Sequence, residues 1–304
     1  MIPLCLILAA CQSEPVLNKR VTATQGVLDP LTKTTSPVET DIVVTVTNIH
    51  TPNTINTLLT ATPIPSPIPT LSLAEKEAIA SELYSTNANC ALPCWWGIVP
   101  GETDWQTAKH FFTTIATEIS TSAESETDPQ YSASVDIPVP EDLSEIGFLR
   151  HTFIIKDGII VEIKLESPWG DRKINTISEI LTAHGRPTEI WVDTWGYTFG
   201  NDYYPFRVVL FYSHQGILVK FFDEAELTND YLIGCPQNHS GKLILWSLEL
   251  GLTFSEALGR QQGPQYYKPL EEVTEMDVET FYQTYLDPNT ETCITTPAEL
   301  WLDR

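Results

Sequence analysis

Positively charged residues are scarce in this sequence. It has 17 Lys and Arg against 40 Asp and Glu, which gives its 304 residues a formal net charge of −23. Because nucleic-acid backbones are polyanions, so negative a chain is a poor match for sequence-independent nucleic-acid binding. Docking on anionic lipids through a basic patch is disfavoured for the same reason. We therefore expect no nucleic acid among its partners.

Recognisable catalytic and metal-binding motifs are also missing. The chain contains no Gly-x-Ser-x-Gly, His-Glu-x-x-His or Gly-x-Gly-x-x-Gly pattern, the motifs that mark a nucleophile elbow, a zinc protease and a dinucleotide fold. Its six His residues are scattered without metal-ligand spacing. We assign no catalytic residue, no metal ligand and no cofactor, and we favour a non-enzymatic role over a hydrolase of unrecognised type.

Aromatic residues are absent from the first 83 positions, since all thirty lie at or beyond Tyr84. Between Val21 and Thr70 the chain instead carries 14 Thr and 7 Pro. A segment without aromatics builds little core, so this composition favours disorder or extended polyproline structure. We predict a Thr/Pro-rich disordered tether over residues 11–70 and a folded part from residue 71 onward.

No hydrophobic run reaches the ~20 residues that cross a bilayer. Residues 1–10 form a short apolar stretch that ends in Leu8-Ala9-Ala10-Cys11, which resembles the lipobox of bacterial lipoproteins. The resemblance implies a signal peptide over 1–10, acylation of Cys11 and an extracytoplasmic protein anchored to the cell membrane. Secretory signals carry basic residues before the apolar run. None precedes it here, and we interpret this as a start codon assigned too far downstream.

Helix starts in the folded part are marked by capping boxes. A Ser or Thr followed three residues later by Glu or Gln can satisfy two orphan amides at once, and the chain has this pattern at Ser72, Thr103, Thr176 and Thr253. Apolar residues spaced by three and four predict an amphipathic helix after Thr103, and Val278, Phe281, Tyr282 and Tyr285 predict another.

Strands are predicted between these helices. Residues 153–161 are two β-prone runs joined by Asp157-Gly158, a strong hairpin signal. Residues 206–212 and 217–222 form a second pair, and 189–194 add a strand. We predict an α+β fold with helices on small antiparallel sheets, comprising an α+β domain at 71–230 and an extension or subdomain at 231–304. A similar Trp-aliphatic-Gly-Thr spacing at 96–103 and 246–253 leaves open an internal duplication into two similar subdomains.

Two segments resemble known lipoproteins. The run Cys90-Ala-Leu-Pro-Cys-Trp-Trp-Gly-Ile-Val-Pro-Gly-Glu-Thr103 is similar to a signature of uncharacterised, linker-bearing bacterial lipoproteins. The unit 176–192, a short helix followed by Gly-Arg-Pro and a strand, is similar to the small lipoproteins of the outer-membrane assembly machinery. Those proteins fold as helices packed on a small antiparallel sheet. The resemblances imply localisation and fold, and they carry no catalytic residue.

Four cysteines remain once Cys5 leaves with the signal peptide and Cys11 is acylated: Cys90, Cys94, Cys235 and Cys293. An even number in an exported domain predicts two disulfides, with three connectivities open. Pairing Cys90 with Cys94 would close a tight loop, and pairing Cys235 with Cys293 would tie the C-terminal tail to the core. A four-thiolate zinc site is the alternative, but its usual two-residue gaps are missing.

A dense group of aromatic residues lies between positions 191 and 204. Gly, Asn and Asp are interleaved with them and indicate a loop. Exposed rings can stack on sugars or anchor a protein, whereas rings that fold back on the sheet would only add to the core. We predict a contact surface for an unknown envelope protein or a glycan, formed by Trp191, Trp195, Tyr197, Tyr203 and Tyr204.

Overall fold

Short polar side chains start most of the helices. The computed structural model describes residues 71–122, 130–166, 168, 171–194, 204–259 and 263–301. Complete capping boxes at Ser72, Thr176 and Thr253 confirm three predicted helix starts. The helices are α1 (Leu73–Thr86), α2 (Trp105–Ile115), α3 (Ile177–His184), α4 (Phe254–Leu258), α5 (Leu270–Val273) and α6 (Val278–Tyr285).

The predicted start of α2 at Thr103 is wrong by one residue. Asp104 caps this helix, because its carboxylate accepts hydrogen bonds from the backbone N–H and the hydroxyl of Thr107. Thr103 is used elsewhere, since its hydroxyl accepts the N–H of Val99 at 2.9 Å. Asp is a better helix cap than Thr, and its negative charge interacts favourably with the start of the helix dipole. Asp104 therefore caps α2 instead of Thr103.

Eleven strands of the described chain form one antiparallel network. They are β1 (Glu118–Thr121), β2 (Gln130–Pro138), β3 (Phe148–Lys156), β4 (Ile159–Leu165), β5 (Glu189–Thr194), β6 (Tyr204–Tyr212), β7 (Ile217–Thr228), β8 (Tyr231–Gly234), β9 (Lys242–Trp246), β10 (Lys268–Pro269) and β11 (Ile294–Pro297). Their order is β1-β2-β3-β4-β9-β7-β6-β5-β10, and β8 pairs with both β7 and β11. The predicted hairpins at β3–β4 and β6–β7 and the predicted strand β5 are present.

The antiparallel α+β class is confirmed, but the sheet is larger than the predicted small sheets. The reason is β9, which pairs with β4 on one side and β7 on the other and so joins two hairpin systems into one sheet. The segment 231–304 thus contributes a central strand, β9, to the sheet formed by the strands of residues 118–228.

Both faces of the sheet carry buried side chains. Along β6, Val208, Leu210 and Tyr212 belong to a large core cluster with α1, α2, α3 and α6. The alternate residues Val209 and Phe211 belong to a smaller cluster with Trp246 and α4. Because successive side chains of a strand point to opposite faces, the two clusters lie on opposite sides of the sheet.

The segments of the apparent internal repeat lie side by side. The N–H of Gly101 bonds the carbonyl of Ile160, and the N–H of Ser247 bonds that of Val161. A Cβ at Gly101 would lie 2.4 Å from the Ser247 hydroxyl oxygen, so this close approach requires glycine. The first copy opens α2, a helix of 11 residues, whereas the second opens α4, a helix of only 5 residues. The similar spacing therefore does not mark equivalent structural units.

The predicted signal peptide, Cys11 and the tether fall outside the described residues. Among the helices of the described ranges, none is both long enough and apolar enough to cross a membrane.

Candidate functional site

The four cysteines form two disulfides, as predicted, and of the three open connectivities the structure has Cys90–Cys94 and Cys235–Cys293. The first closes a small loop directly after α1. The second joins the segment after β8 to the segment before β11, so it ties the C-terminal tail to the sheet. Within the described ranges, no group of His, Cys, Asp or Glu side chains has the arrangement of a metal site.

The loop after α1 is held in an unusual backbone conformation. Asn87, Ala88, Asn89 and Trp96 all have positive φ, between 47° and 59°. This region is common for Asn but costly for Ala and Trp. Asn87 holds the loop together, because its amide donates to the carbonyls of Cys90 and Cys94 and accepts the N–H of Trp96. Backbone strain of this kind persists where the surroundings fix it, often at binding sites.

A cavity of about 480 Å³ opens between this loop and α3, and we call it the α1–α3 cavity. This volume lies within the range of small-molecule sites, roughly 300 to 1,000 Å³. One wall comes from the end of α1 and the disulfide loop, and the other from residues 172–175 and one side of α3. Its apolar lining comprises Tyr84, Ala91, Leu92, Trp95, Ile174, Ile180 and Ala183, and its polar lining includes Asn87, Arg172, Lys173, Asn175, Glu179 and His184.

Arg172 connects the two walls of the α1–α3 cavity. Its guanidinium donates to the hydroxyl of Ser81 at 2.9 Å and to that of Ser85 at 3.4 Å, both on α1. Its Nε lies 3.2 Å from a carboxylate oxygen of Asp142. These contacts fix the orientation of the guanidinium where it lines the cavity.

Beneath the cavity lies a buried aromatic cluster built around His151. The Trp95 and Trp96 rings stack at 5.3 Å, and the Trp96 ring lies 4.8 Å from the imidazole. His151 and Tyr84 share a hydrogen bond of 2.7 Å. Complete burial lowers the pKa of His151 to about 3, so the imidazole is neutral at physiological pH.

Three polar groups of this cluster lack hydrogen-bond partners among the described residues. They are the indole N–H groups of Trp95 and Trp96 and Nδ1 of His151. Buried polar groups in folded proteins are nearly always bonded to protein or to an ordered molecule. The cluster therefore has unused hydrogen-bonding capacity, and one of its members, Trp95, lines the cavity.

A second polar cluster lies on the opposite side of the sheet. Lys220 is only 3% exposed, stands opposite Lys242 in the β7–β9 register, and lies 4.8 Å from the Phe222 ring. Burial, assisted by the positive charges of Arg207 and Lys242, lowers the pKa of Lys220 to about 7. Arg207 in turn pairs with the buried Asp193 at 2.8 Å.

Replacing this lysine should stabilise the protein. We expect Lys220→Met to raise the free energy of unfolding at pH 7 by about 1 to 2 kcal/mol, because the cost of burying this charge is removed. Wild-type stability should rise between pH 7 and 10.5, since there the unfolded chain binds more protons at this position. The advantage of the variant should therefore shrink as pH rises. Urea titrations at pH 7 and 9.5 test this, with the exposed Lys156→Met as control, and a destabilised Lys220→Met at pH 7 would contradict it.

The predicted aromatic contact surface is only partly within the described ranges. Trp195, Tyr197 and Tyr203 lie outside them. Tyr204 is 8% exposed and belongs to the core, so it does not contribute to a surface. Trp191 is half-buried, and it lines the cleft described next.

The aromatic cleft, of about 420 Å³, lies beside Trp191. The Trp191 indole stacks on the Phe254 ring with centroids 4.3 Å apart, and its N–H donates to the carboxylate of Glu189 at 2.8 Å. Ser213, Thr253 and Ser255 also line the cleft. Aromatic rings beside hydroxyl and carboxylate groups suit the polar and apolar faces of a sugar.

The α1–α3 cavity was not predicted from the sequence. Its disulfide loop was identified as a motif, but Arg172 and α3 are brought to it by contacts far apart along the chain. Comparisons with protein-family models, with curated proteins and with solved structures return no match, so the candidate site is defined by its own geometry alone.

Proposed function

We propose that this protein is a non-enzymatic binding module of the cell envelope, anchored to the membrane by acylation of Cys11, with the α1–α3 cavity as its binding site. The observation that carries the proposal is the cavity itself, which combines a small-molecule volume with a fixed guanidinium and an apolar wall. The strained, disulfide-closed loop supports it, because such a loop keeps the site formed before a ligand arrives.

Three further observations support a binding role in the envelope. Two disulfides are typical of exported proteins. The lipobox-like Leu8-Ala9-Ala10-Cys11 supports attachment to the membrane. The indole N–H of Trp95, a lining residue, has no partner among the described residues, which suits a site that holds an ordered molecule.

A glycan-binding module is the second candidate. The observation that favours it is the aromatic cleft, where Phe254 and Glu189 hold the Trp191 ring beside three Ser and Thr residues. Aromatic anchors give large contact area for little loss of rotamer freedom, which makes them effective contact residues.

Native mass spectrometry of the protein released gently from its own membrane fraction tests these candidates. We expect a bound small molecule on wild type that is lost in Ala183→Trp, because this exposed α3 residue lines the cavity and the larger ring would fill it. Trp191→Ala should keep the ligand. An oligosaccharide that is lost only in Trp191→Ala would favour the second candidate. Unliganded protein in every preparation would contradict the proposed function.

A further inference from the structure

We infer that the ligand of the α1–α3 cavity is an uncharged molecule with an apolar body and one hydroxyl group, and that this hydroxyl donates a hydrogen bond to Nε2 of His184. The inference rests on the proposed function and names the chemical class that the site selects. Its basis is that the charged side chains of the lining already have partners, that His184 offers a fixed acceptor, and that much of the remaining lining is apolar.

The charged side chains of the lining are engaged within the protein itself. The guanidinium of Arg172 is ion-paired with Asp142, whose carboxylate oxygen lies 3.2 Å from Nε. Glu179 accepts the N–H of Thr176 in the capping box of α3, and Lys173 has an interaction partner as well. An ionised ligand group would therefore leave water without gaining an unpaired counter-charge, which is costly in a partly apolar cavity.

His184 lies in the last turn of α3 and lines the cavity with a neutral imidazole. The amide N–H of Gln215 donates to the His184 carbonyl at 3.1 Å, and this turns the amide oxygen toward Nδ1 of the imidazole, at 3.0 Å. Because an amide oxygen only accepts, Nδ1 carries the proton and Nε2 has a free lone pair. Burial lowers the pKa of His184 below its ordinary value of 6.5, so the ring is neutral at pH 7.

Nε2 of His184 is an acceptor that a ligand can use. It has no donor among the described residues, and it is not one of the buried polar atoms that lack a partner. The imidazole packs edge-on against Tyr212 with centroids 6.0 Å apart, so ring contact and Gln215 together hold it in place. A hydroxyl suits this acceptor with a single polar atom, whereas an amide would bring a carbonyl that also needs a donor.

The body of the ligand faces apolar side chains. Leu92 and Trp95 from the disulfide loop, and Ile180 and Ala183 from α3, line the cavity. Ala183 precedes His184 directly, so the acceptor adjoins this apolar wall. Such a lining favours an apolar or aromatic body that carries its polar group at one end.

The other polar groups of the lining limit the ligand to few hydroxyls. Ser85 donates its proton to the carbonyl of Ser81 at 2.8 Å, and Thr86 donates to that of Glu82 at 3.0 Å. The amide of Asn87 bonds within the disulfide loop. A heavily hydroxylated molecule would leave several hydroxyls without partners here, so a single hydroxyl fits the site better.

The test compares three probes that share a naphthalene ring: 2-naphthol, 2-methoxynaphthalene, which lacks the O–H, and 2-naphthoate, which is an anion. Equilibrium dialysis of the full chain at pH 7 should show binding of naphthol. Methoxynaphthalene should bind about three- to tenfold more weakly, because one hydrogen bond is lost. Naphthoate should bind more weakly by about tenfold or more, because its charge gains no unpaired partner.

Variants of His184 separate the hydrogen bond from the apolar contacts. His184→Phe should weaken naphthol binding by about three- to tenfold and leave methoxynaphthalene binding unchanged. His184→Gln places an amide oxygen close to the position of Nε2 and should keep most of the naphthol affinity. His214→Phe makes the same change on an exposed residue outside the lining and should have no effect. Unchanged naphthol affinity in His184→Phe would overturn the inference.

Cavity-filling variants locate the binding. Ala183→Trp and Ala91→Trp enter from opposite walls, and either should abolish naphthol binding while thermal unfolding stays cooperative. Equal affinity for all three probes, with loss of all of them in the filled variants, would overturn the inference but leave the proposed site intact. No naphthol binding at millimolar concentration would overturn the inference. A native ligand that survives both filled variants would overturn the proposed function instead.

Discussion

Between pH 6.5 and 4 the protein should lose about 3 kcal/mol of unfolding free energy through one side chain, His151. Its pKa is about 3 in the folded protein, against an ordinary value of 6.5. In this pH window the unfolded chain therefore takes up a proton that the folded chain does not. The stability from the neutral imidazole is fully present above pH 6.5 and is lost as pH falls toward 3.

The cause is the burial of His151 among aromatic rings. Its side chain is inaccessible to solvent, and the negative charge of Asp136 offsets only part of the desolvation. Tyr84→Phe combined with His151→Phe removes the titrating group without leaving the Tyr84 hydroxyl unpaired. Urea titrations at pH 7, 5.5 and 4 should show a shallower loss for this double variant.

His110 on α2 is exposed, and His110→Gln provides the control because it also removes one imidazole but leaves the buried cluster intact. The loss of stability through His151 should persist in this variant. If wild type and the double variant lose the same free energy between pH 6.5 and 4, the proposed role of the buried imidazole is wrong.

Removing the Cys235–Cys293 disulfide should cost about 4 kcal/mol, against about 2 kcal/mol for Cys90–Cys94, in the chain-entropy description. The first spans 58 residues and the second only 4, and a longer closed loop restricts the unfolded chain more. Paired Cys→Ser variants, compared by urea titration under non-reducing conditions, measure both values.

For ligand binding, the order of the two disulfides should be reversed: loss of Cys90–Cys94 should matter more than loss of Cys235–Cys293. Cys90–Cys94 closes the loop that lines the α1–α3 cavity, whereas Cys293 lines a second cavity, between α5 and β11. We expect the fraction of protein that keeps its small molecule in native mass spectrometry to fall in Cys90→Ser/Cys94→Ser and to persist in Cys235→Ser/Cys293→Ser at temperatures where both are folded. A larger loss of affinity in the second variant would contradict this assignment.

Local features of the fold could be predicted from the sequence because a few neighbouring residues determine them. The Ser72 and Thr176 capping boxes and the Asp157-Gly158 hairpin depend on groups within three residues of each other. The error at Thr103 has the same local origin, because Asp104 competes for the same amides.

The sheet order and the site depend on distant contacts that local patterns do not encode. Insertion of β9 between β4 and β7 pairs Lys164 with Ile244, eighty residues apart. The cavity requires Arg172 to reach Ser81 across 91 positions. Aromatic density was also an incomplete guide, since Tyr204 fills the core although it belongs to the stretch predicted to form a surface.

The most direct test is a crystal structure of the protein purified from its own envelope without denaturation. We predict electron density for a small molecule in the α1–α3 cavity, with an apolar part against Leu92 and Ile180. Ordered solvent alone in this cavity, together with a ligand in the aromatic cleft at Trp191, would contradict the account.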